Sequence, residues 1–198
     1  MNEELKKRFD NLAKEYDDVV INKADYVAYN VLGDLIIKNV KTKNPLILDL
    51  GCGTGLSSVK FFEKNFEVIG IDCSHGMISE AKKRPFKKLI CQDLEKPLLV
   101  EDNHFDAVVL IGVMEFIKNP KKLFIEIKSK LKKDGIFALT VPRKMPLSSK
   151  LGIKSYTKEE IEKIFSESGF KIIKQIKLFG YSRHNEDVEY YGYLLKSN

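Results

Sequence analysis

Four carboxylates, a run of alternating glycines and one histidine are the residues whose types and spacing could do chemistry in this chain. Gly51-Cys52-Gly53-Thr54-Gly55 sets three glycines at alternate positions, so backbone can approach a ligand closely and amide N–H groups can point out of a helix start. Asp49 stands two residues ahead of that turn, inside the apolar run Leu46-Ile-Leu-Asp-Leu50, where an unpaired carboxylate is costly and needs a partner. Asp72 ends the next apolar run, about 20 residues beyond the turn, where a carboxylate can accept both hydroxyls of a ribose. The competing role for Asp72, capping the helix that follows, is better filled by Ser74. Cys73 and Met77 come next and suit an apolar slot, although Met77 also suits the core face of its own helix. His184, in a polar stretch near the end of the chain, is a candidate general base because imidazole titrates near neutrality; an exposed loop histidine is the other reading.

These groups need elements to hold them, and the hydrophobic pattern supplies an alternation. Leu5, Phe9, Leu12 and Tyr16, then Val27, Val31, Leu35 and Ile36, recur at helical spacing over residues 3–40. Strands are expected at 45–50, 66–71, 87–91, 105–111 and 135–141, with helices at 54–65, from Ser74 to about Lys83, and from Asn119-Pro120 to about Leu131. Strand and helix alternating at this spacing imply a parallel, doubly wound α/β sheet with its ligand at the carboxyl edge. After Pro142 the rhythm changes. A loop over 142–155 carries Arg143, whose guanidinium could pair an acceptor carboxylate or phosphate. The box Thr157-Lys-Glu-Glu160 opens a helix closed by Gly169. Phe170–Phe179 and about Glu189–Lys196 read as an antiparallel pair joined by a polar loop.

The glycine spacing separates two ligand classes. A dinucleotide fingerprint is Gly-x-Gly-x-x-Gly, whose third glycine would fall at position 56, where this chain has Leu56. The compact Gly-x-Gly-x-Gly preceded by Asp49 resembles the turn of Rossmann-like (class I) S-adenosylmethionine (SAM)-dependent methyltransferases. The resemblance extends over about residues 45–180 through Asp72, Asp93 and the segment Gly112-Val-Met-Glu115-Phe116-Ile117. It implies a mostly parallel seven-stranded sheet ending in an antiparallel hairpin, with SAM as cofactor. It also implies that Asp93, with Leu94, lies near the adenine, that Cys73 and Met77 line the adenine slot, and that Asp49 orients the methionine end. Gly51, Cys52, Gly53 and Gly55 would carry the cofactor, with Ile111 and Gly112 leaving room under the sulfonium. Tyr16 resembles a tyrosine that closes over the cofactor. Glu115 is the family's candidate catalytic carboxylate, or else a residue that ties down its loop. Many relatives carry His where this chain has Phe116, so no metal is expected and Phe116 is read as an apolar wall.

The remaining properties bound the function. The chain has 198 residues, 43% of them hydrophobic, and is read as one domain: a helical lid over 1–44, a SAM-binding core over 45–141, and an acceptor side over 142–198. No apolar run approaches the roughly 18–20 residues of a membrane span, and the start lacks a signal-like apolar core. Cys52, Cys73 and Cys91 are too scattered for a disulfide framework, so a cytoplasmic setting is expected. The net charge of +6 is carried mostly by lysines interleaved with acids, with arginine only at positions 8, 84, 143 and 183, a pattern that does not single out nucleic acid. The expected activity is methyl transfer to an oxygen, nitrogen or carbon of a small molecule. RNA or protein as acceptor, a non-catalytic SAM-binding protein and an NAD-dependent oxidoreductase are the rivals, and the oligomeric state has no signature.

Overall fold

The computed structural model describes residues 3–23, 26–143, 154–183 and 186–197. Seven strands form one sheet in the order β3-β2-β1-β4-β5-β7-β6. In chain order they are β1 (Leu46–Leu50), β2 (Glu67–Asp72), β3 (Lys88–Cys91), β4 (Phe105–Leu110), β5 (Leu131–Pro142), β6 (Phe170–Arg183) and β7 (Glu186–Ser197). The first five pair in parallel, whereas β7 runs antiparallel between β5 and β6. The chain steps outward from β1 to β3 and then restarts at β4 on the other side of β1. A ligand crevice is expected above this reversal, at the carboxyl ends of β1 and β4.

Burial explains the apolar runs. β1 and β4 are buried at every position, as suits strands covered on both faces. One face packs Leu48, Leu50, Val108, Phe137 and Leu139 against α6 (Pro120–Lys130) and α7 (Lys158–Glu167) through Phe124 and Phe165. The other packs Ile47, Val109 and Ala138 against Leu32 and Ile36 of α3 (Ala28–Asn39) and Phe61 of α4 (Val59–Glu63). α6 starts on Asn119, whose side chain accepts from Lys122 N, and Thr157 and Glu160 form the expected capping box of α7.

Four elements differ from the sequence expectation. The helix at 54–65 is a 3₁₀ turn, Leu56–Ser58, followed by the short α4, because glycine at position 55 lies at φ +92° and delays the α-helix. The N-terminal helices are broken into α1 (Glu3–Leu12), a 3₁₀ turn, the one-turn α2 (Tyr16–Asp18) and a π turn over Val19–Lys23. β5 begins at Leu131, directly after α6, and reaches its regular register only at Ile136, past a positive φ at Asp134. The hairpin is longer than expected, with pairing out to Arg183 and Glu186. His184 and residues 144–153 of the expected loop lie outside the described residues. Among the described residues no helix is long and apolar enough to cross a membrane.

Candidate cofactor site

Four strand ends converge on one cleft. Beyond β1 the chain turns back at once, and Gly51 N and Cys52 N donate to Ile71 O of β2 at 2.7 and 3.0 Å. Gly53 is the glycine that opens to the cleft. At φ +54°, a Cβ there would meet nothing nearer than Met77 Sδ at 3.9 Å. Gly51 instead packs tightly on Val113, also with positive φ. Gly55 faces Phe86 and Arg84, and Cys52 is buried with its sulfur under Gly70, so these two shape the turn from behind rather than lining the cleft.

At the end of β2, Asp72 Oδ2 accepts from Gly53 N at 2.9 Å and Oδ1 accepts from Ser74 N at 2.8 Å. The Cys73 N–H also acts on this carboxylate, which with about four acceptor sites keeps capacity for a further donor. Burial raises the Asp72 pKa, against the pull of these N–H groups. Ser74, not Asp72, caps α5 (His75–Ala81) by accepting from Met77 N at 3.1 Å. Cys73 and Met77 line the next wall, and burial pushes the Cys73 thiol up to about 12. After β3, Asp93 accepts from Glu95 N at 3.1 Å, and Asp93, Leu94 and Glu95 all line the cleft. At the end of β4, Ile111 and Gly112 form the floor, with Gly112 N donating to the fully buried Thr140 Oγ1 at 2.7 Å. The mouth is apolar. Val113, Phe116 and Ile117 face Phe9 and Tyr16 of the N-terminal segment, and Phe9 meets Phe116 edge-on at 5.6 Å. Counted out to its mouth and including the solvent space there, the cleft spans about 670 Å³.

Asp49 lies beneath the glycine turn. Its Oδ2 accepts from both Ser57 and Ser58 hydroxyls at 2.6 Å, while Oδ1 has no hydrogen-bond partner and is buried. Burial raises its pKa to about 6 despite those two hydroxyls, and the neighbouring Asp72 adds repulsion. An unsatisfied acceptor at this depth, and three carboxylates (Asp72, Asp93, Glu95) with no Lys or Arg along the described lining, fit a ligand carrying a ribose and positive charge. Glu115 does not join them. It sits in the 3₁₀ turn Met114–Phe116, 5% exposed, and accepts from Tyr190 Oη at 2.9 Å; its other oxygen is unpartnered and burial raises its pKa. Arg143 is engaged by its own chain, ion-paired with Glu189 and 5.3 Å from the Tyr191 ring centre. Among the described residues no group of His, Cys, Asp and Glu could hold a metal.

Sequence reasoning missed Phe9, Glu95, Val113 and Ile117 as cleft residues. Phe9 and Tyr16 were visible as a seven-residue repeat, but that spacing is the same for a face turned to the core and one turned to a ligand.

Comparison with known proteins agrees with this geometry. The methyltransferase domain family matches residues 48–139, from within β1 into β5. An uncharacterized protein of Methanocaldococcus jannaschii is 30% identical over 161 residues, covering 80% of this chain and 69% of that protein. The malonyl-[acyl-carrier protein] O-methyltransferase of Bacillus cytotoxicus is 28% identical over 137 residues, covering 67% of this chain and 47% of the enzyme. The chain spans between about half and two thirds of the length of the first curated relatives it matches. Among solved structures, the Burkholderia thailandensis 1,6-didemethyltoxoflavin-N1-methyltransferase, crystallised with S-adenosylhomocysteine, shares the fold at TM-score 0.75 and 14% identity, covering 98% of this chain and 87% of that one. The strand order and the glycine turn thus agree with the matched family: the chain belongs to the methyltransferase domain family, on a Rossmann-like fold.

Proposed function

We propose that this protein transfers a methyl group from SAM to an oxygen, nitrogen or carbon atom of a small molecule. The observation that carries the reading is the charge of the cleft: Asp72 at the end of β2, Asp93 and Glu95 just after β3, and no Lys or Arg along the described lining. A pyrophosphate-bearing dinucleotide would meet repulsion there, whereas a sulfonium and an ammonium are attracted. When bound, SAM supplies a methyl group already activated by its sulfonium.

The chain's own residues then have positioning work. Asp72 holds the ribose hydroxyls with the lone pairs left by Gly53 N and Ser74 N. Asp93 and Leu94, with Cys73 and Met77, form the adenine slot, and Asp49, buried beneath the glycine turn with one oxygen unpartnered, orients the methionine end from below. Gly51, Gly53, Ile111 and Gly112 keep backbone low beneath the reacting centre. Phe9, Tyr16, Phe116 and Ile117 exclude water and favour an acceptor with an apolar body. Glu115 holds Tyr190 and stiffens the acceptor wall rather than taking a proton from the acceptor. A base is optional for this chemistry, because alignment and desolvation contribute most of what the protein must add. His184 is the candidate where the acceptor must lose a proton. The relatives named above act on a carrier-bound malonyl group and on a heterocycle, which supports a small acceptor. Free cysteines at 52, 73 and 91 fit a reducing, cytoplasmic setting.

Calorimetric titration with SAM, S-adenosylhomocysteine and NADH tests the cofactor. Micromolar binding of the first two, weakened at least about a hundredfold in Asp72→Ala, is expected. Binding of NADH alone would overturn the reading. Labelled SAM with small-molecule, RNA and protein fractions then tests the acceptor. Label entering RNA, with binding that falls steeply with salt, would replace the small molecule. No transfer to any fraction would favour a SAM-binding protein without turnover.

A further inference from the structure

The N-terminal segment is fastened across the cofactor cleft at two separate points, each built on an aspartate. Asp10, near the end of α1, accepts from Ser74 Oγ at 2.5 Å and from Gly76 N at 2.9 Å, both through Oδ1. The contact is close enough that a Cβ on Gly76 would lie 2.6 Å from Asp10 O. Asp17, in α2, accepts from Thr54 Oγ1 at 2.5 Å through one oxygen and from Arg84 Nη2 at 2.6 Å through the other. Arg84 also donates from Nε to Thr54 O at 3.1 Å, so it staples Asp17 to the glycine turn itself. Between these points Phe9 and Tyr16 roof the cleft, and Phe9 reaches across to Phe116.

We infer that Asp10 and Asp17 are positioning residues: a two-point latch that holds residues 3–18 as a lid, so that cofactor enters and product leaves only when both points release. Every latch contact is made between protein groups, on Ser74, Gly76, Thr54 and Arg84, none of which lines the cleft. The latch therefore closes the free and the loaded protein alike. A ligand that must wait for opening in both directions has its entry and exit rates scaled by the same open fraction, while their ratio, the Kd, is unmoved. This inference rests on the cleft being the cofactor site.

The test is stopped-flow binding of S-adenosylhomocysteine to the full chain, comparing wild type with Asp10→Ala/Asp17→Ala. Association and dissociation rates are both expected to rise about tenfold or more, with Kd changing less than about threefold. Asp10→Asn, which keeps an acceptor oxygen, should return part of the slow kinetics to the Asp17 wild-type background. Unchanged rates would overturn the latch, and so would a faster dissociation alone with a matching rise in Kd, which marks a ligand contact. Failure of wild type to bind at all would instead overturn the cofactor reading beneath it. Should the double variant not fold, amide exchange of the wild type decides: residues 3–18 are expected to exchange faster than β1 and β4, and exchange as slow as those strands would overturn the inference.

Discussion

Two buried aspartates, at opposite ends of the sheet, have had opposite fates. Asp106, at the amino end of β4, is 8% exposed and fully engaged: one oxygen accepts from Thr42 Oγ1 at 2.7 Å, the other from Leu46 N at 2.9 Å and from Lys132 Nζ at 2.8 Å. Burial pushes its pKa up, but Lys132 and those hydrogen bonds outweigh it and hold the carboxyl below its ordinary value. Asp49, at the carboxyl end of β1, is 1% exposed, has one oxygen without a partner, and is raised to about 6. The first carboxylate pins the start of β1 to β4. The second is held at a cost to the fold, beside the turn where a cationic ligand is expected. Between these two carboxylates, incomplete satisfaction rather than burial itself sets apart the one beside the glycine turn.

That contrast can be broken in three ways. The largest expected effect is on stability against pH. With a folded pKa near 6 and an unfolded value near 3.8, native Asp49 holds more protons than the unfolded chain between those values, so stability falls as pH rises from about 4 to about 6. Asp49→Asn removes that decline, and urea melts should show the variant gaining about 3 kcal/mol on wild type across the window. Asp106 has the opposite sign: its lowered pKa contributes stability above the ordinary carboxylate range, lost only as pH falls below it. Second, Asp106→Ala leaves the Leu46 N–H and the Thr42 hydroxyl without their acceptor and should lower stability by about 2–3 kcal/mol, with SAM affinity unchanged. An affinity loss as large as the stability loss would erase the division between the two ends. The smallest effect sharpens the role of Asp49. Only its ionised form attracts a cationic methionine end, so calorimetry should find SAM bound about tenfold tighter at pH 7 than at pH 5. A profile of the same slope in Asp49→Asn would remove Asp49 from the site.

The parts of this molecule that could be read from its residues are those where local chemistry and tertiary role coincide. Leu46–Leu50 and Phe105–Leu110 are short apolar runs because they are covered on both faces, and Gly51 and Gly53 punctuate the first because both take positive φ and a Cβ at Gly51 would also strike Val113. Ser74, Asn119 and Thr157 announced helix starts through side chains that act within four residues. Illegible parts depend on partners far along the chain. Asp10 with Ser74, and Asp17 with Thr54 and Arg84, join residues 37 to 67 positions apart, and no periodicity encodes them. The hairpin was read as two strands but shortened, because Ser182–Arg183 and Glu186–Asp187 are polar in sequence and their place in the ladder comes from backbone pairing with the opposite strand. The candidate catalytic Glu115 was legible as a residue but not as a direction: only the fold shows its carboxyl turned to Tyr190.

The antiparallel insertion of β7 has a consequence for how the molecule is made. β5 pairs with β4 on one side and with β7 on the other, joining Ile136 to Lys196 and Pro142 to Tyr190. A nascent chain that has finished β1 to β5 therefore already owns its glycine turn and acidic cleft, yet still presents the backbone of β5 as an open edge. That edge stays unprotected until residues 186–197 have been synthesised and threaded between β5 and β6. During translation the protein is thus most exposed to mispairing at the moment its binding site is nearly complete.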